Sequence, residues 1–392
     1  MNDFTFWMPT KVIFGAGTPD RTGEEICAFH GCKVLVLYGG GSAVQSGLLR
    51  RVTDSLDREG LAWEAVGGVH PNPLAEFAQK IVDEHRDQGF DFLLAVGGGS
   101  VIDTAKAVSY GLSDPATPIW DYFSKKAIPS RNLPVGVVLT IAAAGSETSD
   151  SAVLTLESEH LKRGLSTPLN RPKFAIMDPT VTVSLPPHQT ACGVTDIMMH
   201  TLDRYFAQGT GNDMTDGIAR AVLRTAIRAG AAVMADPNDV KARGELMWAG
   251  SISHNGLTGL GQVRDFSVHQ LGHELSGMFD IPHGESLSAM WPAWARYVME
   301  SDVPRFAHYA REIWDVADED ERKAAVQGID ATEAFFRSLG MPVTLGQTVG
   351  VQPEETLKAL AHKCSFGGAR TIGSLRPLGE EEILRVYQKA NF

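Results

Sequence analysis

The sequence predicts two domains, an α/β domain with a parallel sheet followed by an all-α domain. Short apolar runs alternate with amphipathic stretches in the first half, Pro186 and Pro187 then interrupt a strand-like pattern, and helical periodicity dominates the remainder. Strands separated by helical segments are typical of parallel sheets with crossover helices. The chain of 392 residues also exceeds the size, about 250–300 residues, at which one hydrophobic core usually stops growing. We therefore expect domains at 1–186 and 187–392.

The individual elements follow from the spacing of apolar residues. Apolar and partly β-branched runs predict strands at 33–38, 91–97, 135–141 and 173–178. Amphipathic patterns between them predict helices at 46–60 and 73–89. Helix-like spacing in the second domain predicts helices at 190–208, 213–235, 239–257, 265–279, 285–300, 304–317, 320–340 and 353–364.

Composition is that of an ordinary soluble globular chain, with 43% apolar and 21% charged residues. The net charge of −12 disfavours nucleic acid as a partner, because nucleic-acid binding relies on clustered Lys and Arg. The longest apolar run, 135–145, is shorter than the roughly 20 residues that span a bilayer, and the N-terminus lacks a signal-peptide pattern. We expect a cytoplasmic protein without a membrane partner, whose four cysteines are reduced thiols.

Two segments share one design, an apolar strand followed by GGGS and a helix. They are LVLYGGGSAVQSGLL at 35–49 and LLAVGGGSVIDTAKAV at 93–108. Glycines let phosphate oxygens approach the backbone, and the new helix offers unpaired N–H groups and the positive end of its dipole. A tight strand-to-helix turn is the simpler explanation of one GGGS. Two such turns at successive strand ends predict a diphosphate site, because ligands of parallel sheets bind beyond those ends.

The first of these turns bears on the choice of nicotinamide cofactor. A carboxylate after the strand would accept a hydrogen bond from the ribose 2′-hydroxyl of NAD and would repel the 2′-phosphate of NADP. The four residues after the strand are instead Gly39, Gly40, Gly41 and Ser42. Backbone N–H groups and the Ser42 hydroxyl could receive a 2′-phosphate, although the loop carries no arginine. The sequence therefore favours NADP(H) over NAD(H).

A third polar loop, 140–152, follows another predicted strand and is rich in small hydroxyl side chains. Thr140, Ser146 and Thr148 could line the nicotinamide side of a cleft. Helix capping by Ser146 or Thr148 explains these residues equally well, and both interpretations stay open.

Histidines and one aspartate in the second domain have the spacing of metal ligands. Asp196 and His200 lie four residues apart in a helical pattern, which places both on one face. His269 and His273 repeat this spacing, and His283 follows. A lone histidine is more often an ordinary residue, but this clustering in a chain with 12 histidines favours a metal. Three imidazoles and one carboxylate suit Fe²⁺, Zn²⁺, Ni²⁺ or Mn²⁺ better than Mg²⁺ or Ca²⁺. Spacing leaves five candidates for four positions.

Together the motifs resemble those of the iron-containing (group III) alcohol dehydrogenases, especially their NADPH-dependent aldehyde reductase and butanol dehydrogenase branch. The resemblance covers essentially the whole chain. It rests on KVIFGAG, YGGGSAVQSGLL, GGVHPNP, AVGGGSVIDTAKAV, TIAAAGSETS, MDPTVTVSLPP, the D-x3-H at 196–200, and HQLGHELSGMFDIPHGESL. It implies a dehydroquinate synthase-like fold, in which an α/β nucleotide-binding domain precedes an all-α domain, with cofactor and metal in the cleft between them.

The same resemblance implies residue roles. His273 would face the nicotinamide and substrate, where it would relay a proton or orient its neighbours. One divalent ion, Fe²⁺ or Zn²⁺, would be bound by Asp196, His200, His269 and His283. Asn72 would lie near the adenosine, and the glycine loop at 39–42 matches NADPH-preferring members. The other cofactor-binding residues would be Gly98, Gly99, Ser100, Asp103, Thr140, Ser146 and Lys162.

The implied activity is hydride transfer between NADP(H) and small or medium alcohols or aldehydes, with the metal polarising the substrate oxygen. The resemblance also implies a homodimer that associates through the N-terminal edge. A dehydroquinate-synthase-like or glycerol-phosphate-type enzyme is one alternative, but a phosphorylated substrate would need several Lys or Arg near the metal. The stretches 193–206 and 247–290 contain only Arg204 and Arg264. A noncatalytic, metal-stabilised scaffold is the second alternative, and the matching hydride-transfer residues argue against it.

Overall fold

The computed structural model describes residues 2–208 and 212–392, and its contacts divide the chain into two compact units. The first, which we call the α/β unit, contains Trp7–Leu185 and Asn238–Ser251. The second, the helical unit, contains Pro186–Pro237, Ile252–Phe392 and the N-terminal residues up to Phe6. One segment from the second half of the chain, Asn238–Ser251, thus packs with the α/β unit.

The elements are numbered in chain order. The strands are β1 (Lys11–Phe14), β2 (Lys33–Tyr38), β3 (Ala62–Val66), β4 (Phe92–Gly97), β5 (Val135–Leu139), β6 (Ser151–Leu156), β7 (Leu161–Ser166) and β8 (Phe174–Met177). The helices up to residue 254 are α1 (Thr22–Ala28), α2 (Ser42–Gln45), α3 (Leu48–Arg58), α4 (Ala75–His85), α5 (Gly99–Ser113), α6 (Ile119–Phe123), α7 (Pro187–Tyr205), α8 (Asp213–Ala235) and α9 (Val240–His254). The later helices are α10 (Ser267–Phe279), α11 (His283–Val298), α12 (Val303–Trp314), α13 (Glu321–Ser338), α14 (Leu345–Val349), α15 (Glu354–Cys364) and α16 (Glu380–Ala390).

Six strands form one parallel sheet in the order β1-β8-β5-β4-β2-β3, and the predicted fold class is confirmed. The four predicted strands are its central members, β2, β4, β5 and β8. The edge strands β1 and β3 were not predicted, because they are short and partly exposed, and neither has an apolar run longer than three residues. An antiparallel hairpin of β6 and β7, also not predicted, lies outside this sheet.

Alternation along the strands divides the core of the α/β unit between the two faces of the sheet. Leu35 and Leu37 of β2 belong to one buried cluster, which also contains Ile102 of α5. Val34 and Val36 belong to the other, which includes side chains of α3. Successive side chains of a strand point to opposite faces, so a sheet covered on both faces needs strands that are apolar throughout.

The helical unit is built around α7, whose residues from Gly193 to Tyr205 are all buried. This helix packs against α8, α10 and α11. The eight predicted helical segments correspond to α7–α13 and α15, whereas the short α14 and the C-terminal α16 were not predicted. No helix among the described residues combines the length and apolarity that crossing a membrane requires.

Candidate functional site

Four of the five metal-ligand candidates meet around Asp196 in the helical unit. Asp196 and His200 lie one turn apart on α7, and ligand atoms of these two residues and His269 lie within 4.8 Å of one another. All three residues are buried. His283, the first residue of α11, contacts Asp196 Oδ1 through its Nδ1 at 3.1 Å. Side chains from three helices therefore converge on one carboxylate.

Two glycines let these helices approach closely enough for that convergence. A Cβ on Gly284 would lie 2.6 Å from the carbonyl oxygen of Cys192, so only glycine fits where α11 begins against α7. A Cβ on Gly272 of α10 would lie 2.8 Å from Ser286 Oγ of α11. Because such contacts are too short for a side chain, the glycines set how near His269 and His283 come to Asp196.

A second buried carboxylate, which was not predicted, orients His269. Asp203 Oδ2 lies 2.6 Å from His269 Nδ1, so that Nδ1 carries the hydrogen and donates it to the carboxylate. The lone pair is then on Nε2, which is buried and has no hydrogen-bond partner among the described residues. This nitrogen lies 3.9 Å from Asp196 Oδ1. A buried imidazole lone pair beside a carboxylate oxygen is an arrangement that a divalent cation would satisfy.

The charge states of Asp196 and His200 are also those that a metal requires. Burial by itself would raise the pKa of Asp196, but His283 and His200 hold that pKa well below its usual range. Burial, together with the neighbouring His269, lowers the pKa of His200 to about 3. Near neutral pH the carboxylate is ionised and His200 is neutral, and these are the forms that coordinate metal ions. The residues present therefore fit a borderline divalent ion.

Two further histidines flank the cluster. The His273 ring lies 6.4 Å from that of His269 and 5.6 Å from that of His283, measured between centroids, and it is half-buried. Its position beside the group distinguishes it from His269, with which it shares the four-residue spacing. His254, which the sequence interpretation missed, has its ring centroid 4.0 Å from that of His200. It has no histidine or acid at helical spacing, so no local signal identified it.

In the α/β unit, the predicted diphosphate residues follow neighbouring strands at the same sheet edge. Tyr38 of β2 pairs with Val96 of β4, and Gly97 of β4 pairs with Leu139 of β5. The loops 39–42 and 98–100 and the residue Thr140 therefore leave the sheet side by side. The chain runs from β2 to β3 on one side and returns to β4 on the other, which makes a topological switch point between β2 and β4. Ligands of open α/β sheets bind at such points.

The second glycine loop is shaped for close backbone approach. A Cβ on Gly98 would lie 2.3 Å from Ile141 Cγ2, so a side chain there would displace the neighbouring loop. Gly98 precedes the 15-residue helix α5, which begins without a side-chain cap. The N–H groups of its first turn, with Gly99 and Ser100, and the positive end of its dipole can thus serve an anion.

Ser146 and Asp103 belong to a buried network centred on Lys106. Ser146 Oγ donates to Asp103 Oδ1 at 2.5 Å, and the Val153 N–H donates to Asp103 Oδ2 at 2.9 Å. Lys106 Nζ donates to Ser146 Oγ at 2.8 Å, and to the carbonyl oxygens of Ser146 and Ser151 at 2.7 Å each. Burial lowers the pKa of Lys106 to about 8, which leaves it protonated at neutral pH. Lys106, which was not predicted, therefore holds the predicted cofactor residue Ser146.

The remaining two cofactor candidates form a pair. Lys162 Nζ of β7 donates to Asn72 Oδ1 at 2.7 Å, and both residues are buried. Asn72 has a φ of 51°, and the adjacent turn is tied to β6 because the Thr155 N–H donates to the Pro73 carbonyl at 2.8 Å. The structure thus brings together the PNP turn and the β6–β7 hairpin.

The chain matches known proteins over its whole length. The family model described as iron-containing alcohol dehydrogenase matches residues 9–179, and the C-terminal model of the same family matches 190–391. The chain is 38% identical over 392 residues to the NADH-dependent butanol dehydrogenase A of Clostridium acetobutylicum, with 100% of both chains covered. It is 33% identical over 393 residues to the NADPH-dependent aldehyde reductase YqhD of Escherichia coli K12, again with 100% of both covered.

A solved structure gives the same result. The crystal structure of NADH-dependent butanol dehydrogenase A from Thermotoga maritima superposes with a TM-score of 0.96 at 34% identity, covering 100% of this chain and 99% of that one. Sequence and structural similarity agree over both units. The chain belongs to the iron-containing alcohol dehydrogenase family.

Proposed function

We propose that this protein interconverts small or medium aldehydes and alcohols, with NADP(H) as the hydride carrier and one divalent ion held by Asp196, His200, His269 and His283. The observation that carries the proposal is the cluster around Asp196. It combines an ionised, buried carboxylate with a His269 Nε2 that is buried and has no hydrogen-bond partner among the described residues. The donor set of imidazoles and one carboxylate suits Fe²⁺ or Zn²⁺, and Ni²⁺ or Mn²⁺ would also be accepted.

The bound groups would supply the central chemistry, the ion as a Lewis acid toward the substrate oxygen and the nicotinamide as donor or acceptor of hydride. The chain's residues bind and orient them. The backbone N–H groups at Gly98, Gly99 and Ser100 would hold the diphosphate. The Lys106 network fixes the Ser146 hydroxyl, and Lys162 fixes Asn72. A strong general base is not required, because a bound divalent ion lowers the pKa of an oxygen ligand.

His273 is proposed to move the proton that reduction of a carbonyl consumes. Its ring is half-buried, in contrast to the buried His269, and it lies 5.6 Å from the ring of His283, so it can exchange protons with solvent beside the cluster. His273→Gln should lower kcat for aldehyde reduction about 10²–10⁴-fold, the usual contribution of acid–base catalysis. Metal content should stay at the wild-type level. Unchanged kcat would assign His273 to orientation alone.

The preference for NADP(H) is supported by the loop after β2, in which Gly39 to Ser42 offers a hydroxyl and no carboxylate. Both cofactors occur among the named relatives, one of which is NADH-dependent and another NADPH-dependent. The test is the ratio of kcat/KM for NADPH and NADH. Gly40→Asp should shift this ratio toward NADH, because the carboxylate would repel the 2′-phosphate. The loop should tolerate the substitution, because a Cβ on Gly40 meets nothing within 4 Å. A wild-type ratio that favours NADH would overturn the preference.

A phosphorylated substrate is disfavoured by the position of Arg204. Its side chain is 1% exposed, it donates to the His200 carbonyl oxygen at 2.6 Å, and its guanidinium lies over the Phe266 ring. Its guanidinium is therefore engaged by residues of the helical unit.

The deciding experiment measures NADPH consumption with butanal by protein loaded with Fe²⁺ or Zn²⁺, alongside metal analysis of the purified protein. The proposal expects turnover that disappears after chelation and returns with the ion. Asp196→Asn should abolish both metal content and turnover, while Asp178→Asn, a similarly buried carboxylate of the α/β unit, should retain metal. Metal-loaded protein that binds NADPH but reduces no aldehyde would overturn the proposal and favour the scaffold alternative.

We also propose a homodimer and a cytoplasmic location. β1 lies at the edge of the sheet, and Phe14 on it is 48% exposed, with Trp7 just before it 56% exposed. An edge strand with exposed aromatic side chains favours association. Light scattering after size exclusion tests the dimer, and Phe14→Lys should shift it toward monomer. The cytoplasm supplies the proposed cofactor, and its reducing conditions suit the exposed thiols of Cys27 and Cys32.

A further inference from the structure

We propose that Asp203 is the positioning residue that presents His269 to the metal, and so sets how tightly the metal is held. This inference rests on the proposed function, because it concerns the same divalent ion. Asp203 is not one of the four proposed ligands. It would act through the His269 ring.

The position of Asp203 on α7 makes this role possible. Asp196, His200 and Asp203 are spaced i, i+4 and i+7, which places all three on one face of the helix. Asp203 is 0% exposed. The face that supplies two proposed ligands therefore also supplies the carboxylate that holds a third, from a helix 66 residues further along the chain.

Asp203 holds His269 at two points. Its Oδ2 accepts the ring Nδ1–H at 2.6 Å and the main-chain N–H of the same residue at 3.2 Å. The N-cap of α10, Phe266, is left-handed with a φ of 56° and provides no side-chain cap. Asp203 thus accepts one of the N–H groups of the first turn while it fixes the ring. Because backbone and imidazole are tied to one oxygen, rotation of the ring away from Asp196 would break the bond to Nδ1.

The carboxylate would have two separable effects on the metal. As an acceptor it fixes the tautomer, which leaves the lone pair on Nε2. As an anion it also makes the imidazole a stronger donor. An asparagine retains an acceptor oxygen but no charge, and an alanine retains neither. We therefore expect metal affinity to fall in the order wild type, Asp203→Asn, Asp203→Ala.

The test measures Zn²⁺ affinity of the full-length protein by competition with a chromophoric chelator, and the absorption spectrum after loading with Co²⁺. Loss of such an orienting partner typically costs about 10- to 100-fold in metal affinity. We expect that loss for Asp203→Ala, a smaller one for Asp203→Asn, and altered Co²⁺ ligand-field bands in both. If the alanine variant does not fold, the asparagine variant carries the test.

Asp265→Asn is the matched control. Asp265 is buried beside the same helix end and accepts the Ser267 N–H at 3.0 Å, but no hydrogen bond joins it to an imidazole among the described residues. Asp265→Asn should disturb the start of α10 but should not lower the affinity for Zn²⁺. An equal loss in Asp265→Asn would show that helix capping, and not orientation of the ring, controls the metal, and would overturn the proposal.

A double-mutant cycle separates action through His269 from any other effect. In a His269→Ala background, Asp203→Asn should cause no further loss of Zn²⁺ affinity, because the ring on which it acts is gone. The same fold-loss in both backgrounds would overturn the inference, as would wild-type affinity in both Asp203 variants. These outcomes leave the proposed function intact. Wild-type protein that binds neither Zn²⁺ nor Co²⁺ would overturn the metal site itself, and the role of Asp203 with it.

Discussion

Lys106→Met tests whether a buried ammonium holds the loop that carries Ser146. Lys106 is 1% exposed, and its ammonium donates to the Ser146 hydroxyl and to the carbonyl oxygens of Ser146 and Ser151. Methionine fills a similar volume but donates nothing. It would leave the carbonyl oxygens of Ser146 and Ser151 without this donor and the Asp103 carboxylate without the cation 3.9 Å away.

The magnitude follows from two opposing effects. Each hydrogen bond from a charged donor is worth about 1.5–3 kcal/mol, and the three short ones are lost, about 4.5–9 kcal/mol together. Against this, burial lowers the pKa of Lys106 to about 8 despite the nearby carboxylates, which is a net penalty of about 3 kcal/mol on the charged form that the uncharged methionine avoids. The difference is a net loss of about 1.5–6 kcal/mol, a range that contains the usual cost, about 3–5 kcal/mol, of removing one partner of a buried pair.

Hydrogen–deuterium exchange resolved by peptide is the suitable assay, because the loss is local. Peptides covering residues 142–156 report the loop and β6, including the Val153 N–H that Asp103 accepts. A local opening that is easier by about 1.5 kcal/mol or more should speed exchange there at least about tenfold. Lys80→Met is the control, because the Lys80 side chain is 66% exposed. Its Nζ lies 3.8 Å from Glu84 Oε1 on the same helix, so it makes a surface ion pair that contributes little stability. Exchange that rises less than about fivefold in Lys106→Met, a change below about 1 kcal/mol, would refute the reasoning.

Three further predictions follow from the same structure. The pKa of Lys106 is about 8 in the folded protein and 10.5 in the unfolded chain, so between these pH values the unfolded chain binds more protons. Stability should therefore increase with pH over this range, and the Tm of wild type should rise relative to that of Lys106→Met from pH 8 to 10.5. Gly98→Ala should cost about 1–3 kcal/mol in thermal melts by overpacking against Ile141, whereas Gly40→Ala, whose Cβ meets nothing within 4 Å, should change stability by less than about 0.5 kcal/mol. Chelation should lower the Tm. Zn²⁺ at 1,000 times its Kd should restore about 4 kcal/mol of folding stability, whereas Mg²⁺ should restore none. Equal rescue by Mg²⁺ would contradict the nitrogen-rich donor set.

The sequence was most informative where burial is uniform. The central strands β2, β4, β5 and β8 are buried on both faces, so each reads as a continuous apolar run. The edge strand β3, with the sequence AWEAV, is exposed along three of its five residues, and its pairing with β2 depends on a neighbour that local pattern does not reveal. Helices of the second domain such as α12 and α13 were found because each presents its own apolar stripe.

The candidate site divides in the same way. Asp196 and His200 share one helix, so their four-residue spacing could be recognised in the sequence. The glycine turns could be recognised from the GGGS that follows each strand. The bond between Asp203 and His269 joins residues 66 positions apart; the spacing of Asp203 from Asp196 places it on the ligand face of α7 but does not indicate its partner. Lys106 follows Asp103 by three residues in a helical pattern, where a lysine is ordinarily solvent-exposed; only the packing of α5 against the loop at 146–151 buries it.

Asp203 and Lys106 show a common physical device in two separate units. Each is a fully buried charge that is not itself expected to touch a ligand. Each makes two hydrogen bonds to a residue that is expected to bind one, Asp203 to His269 and Lys106 to Ser146. A buried charge adds little net stability, since desolvation offsets most of its attraction. Its bonds are nevertheless directional, and breaking one leaves the charge without compensation, so the partner is confined to one orientation. An apolar side chain of equal volume offers no such bonds, so it could not fix the tautomer of an imidazole or the direction of a hydroxyl. We therefore expect apolar replacements of Asp203 and Lys106 to lose ligand binding by a larger factor than their effect on global unfolding accounts for.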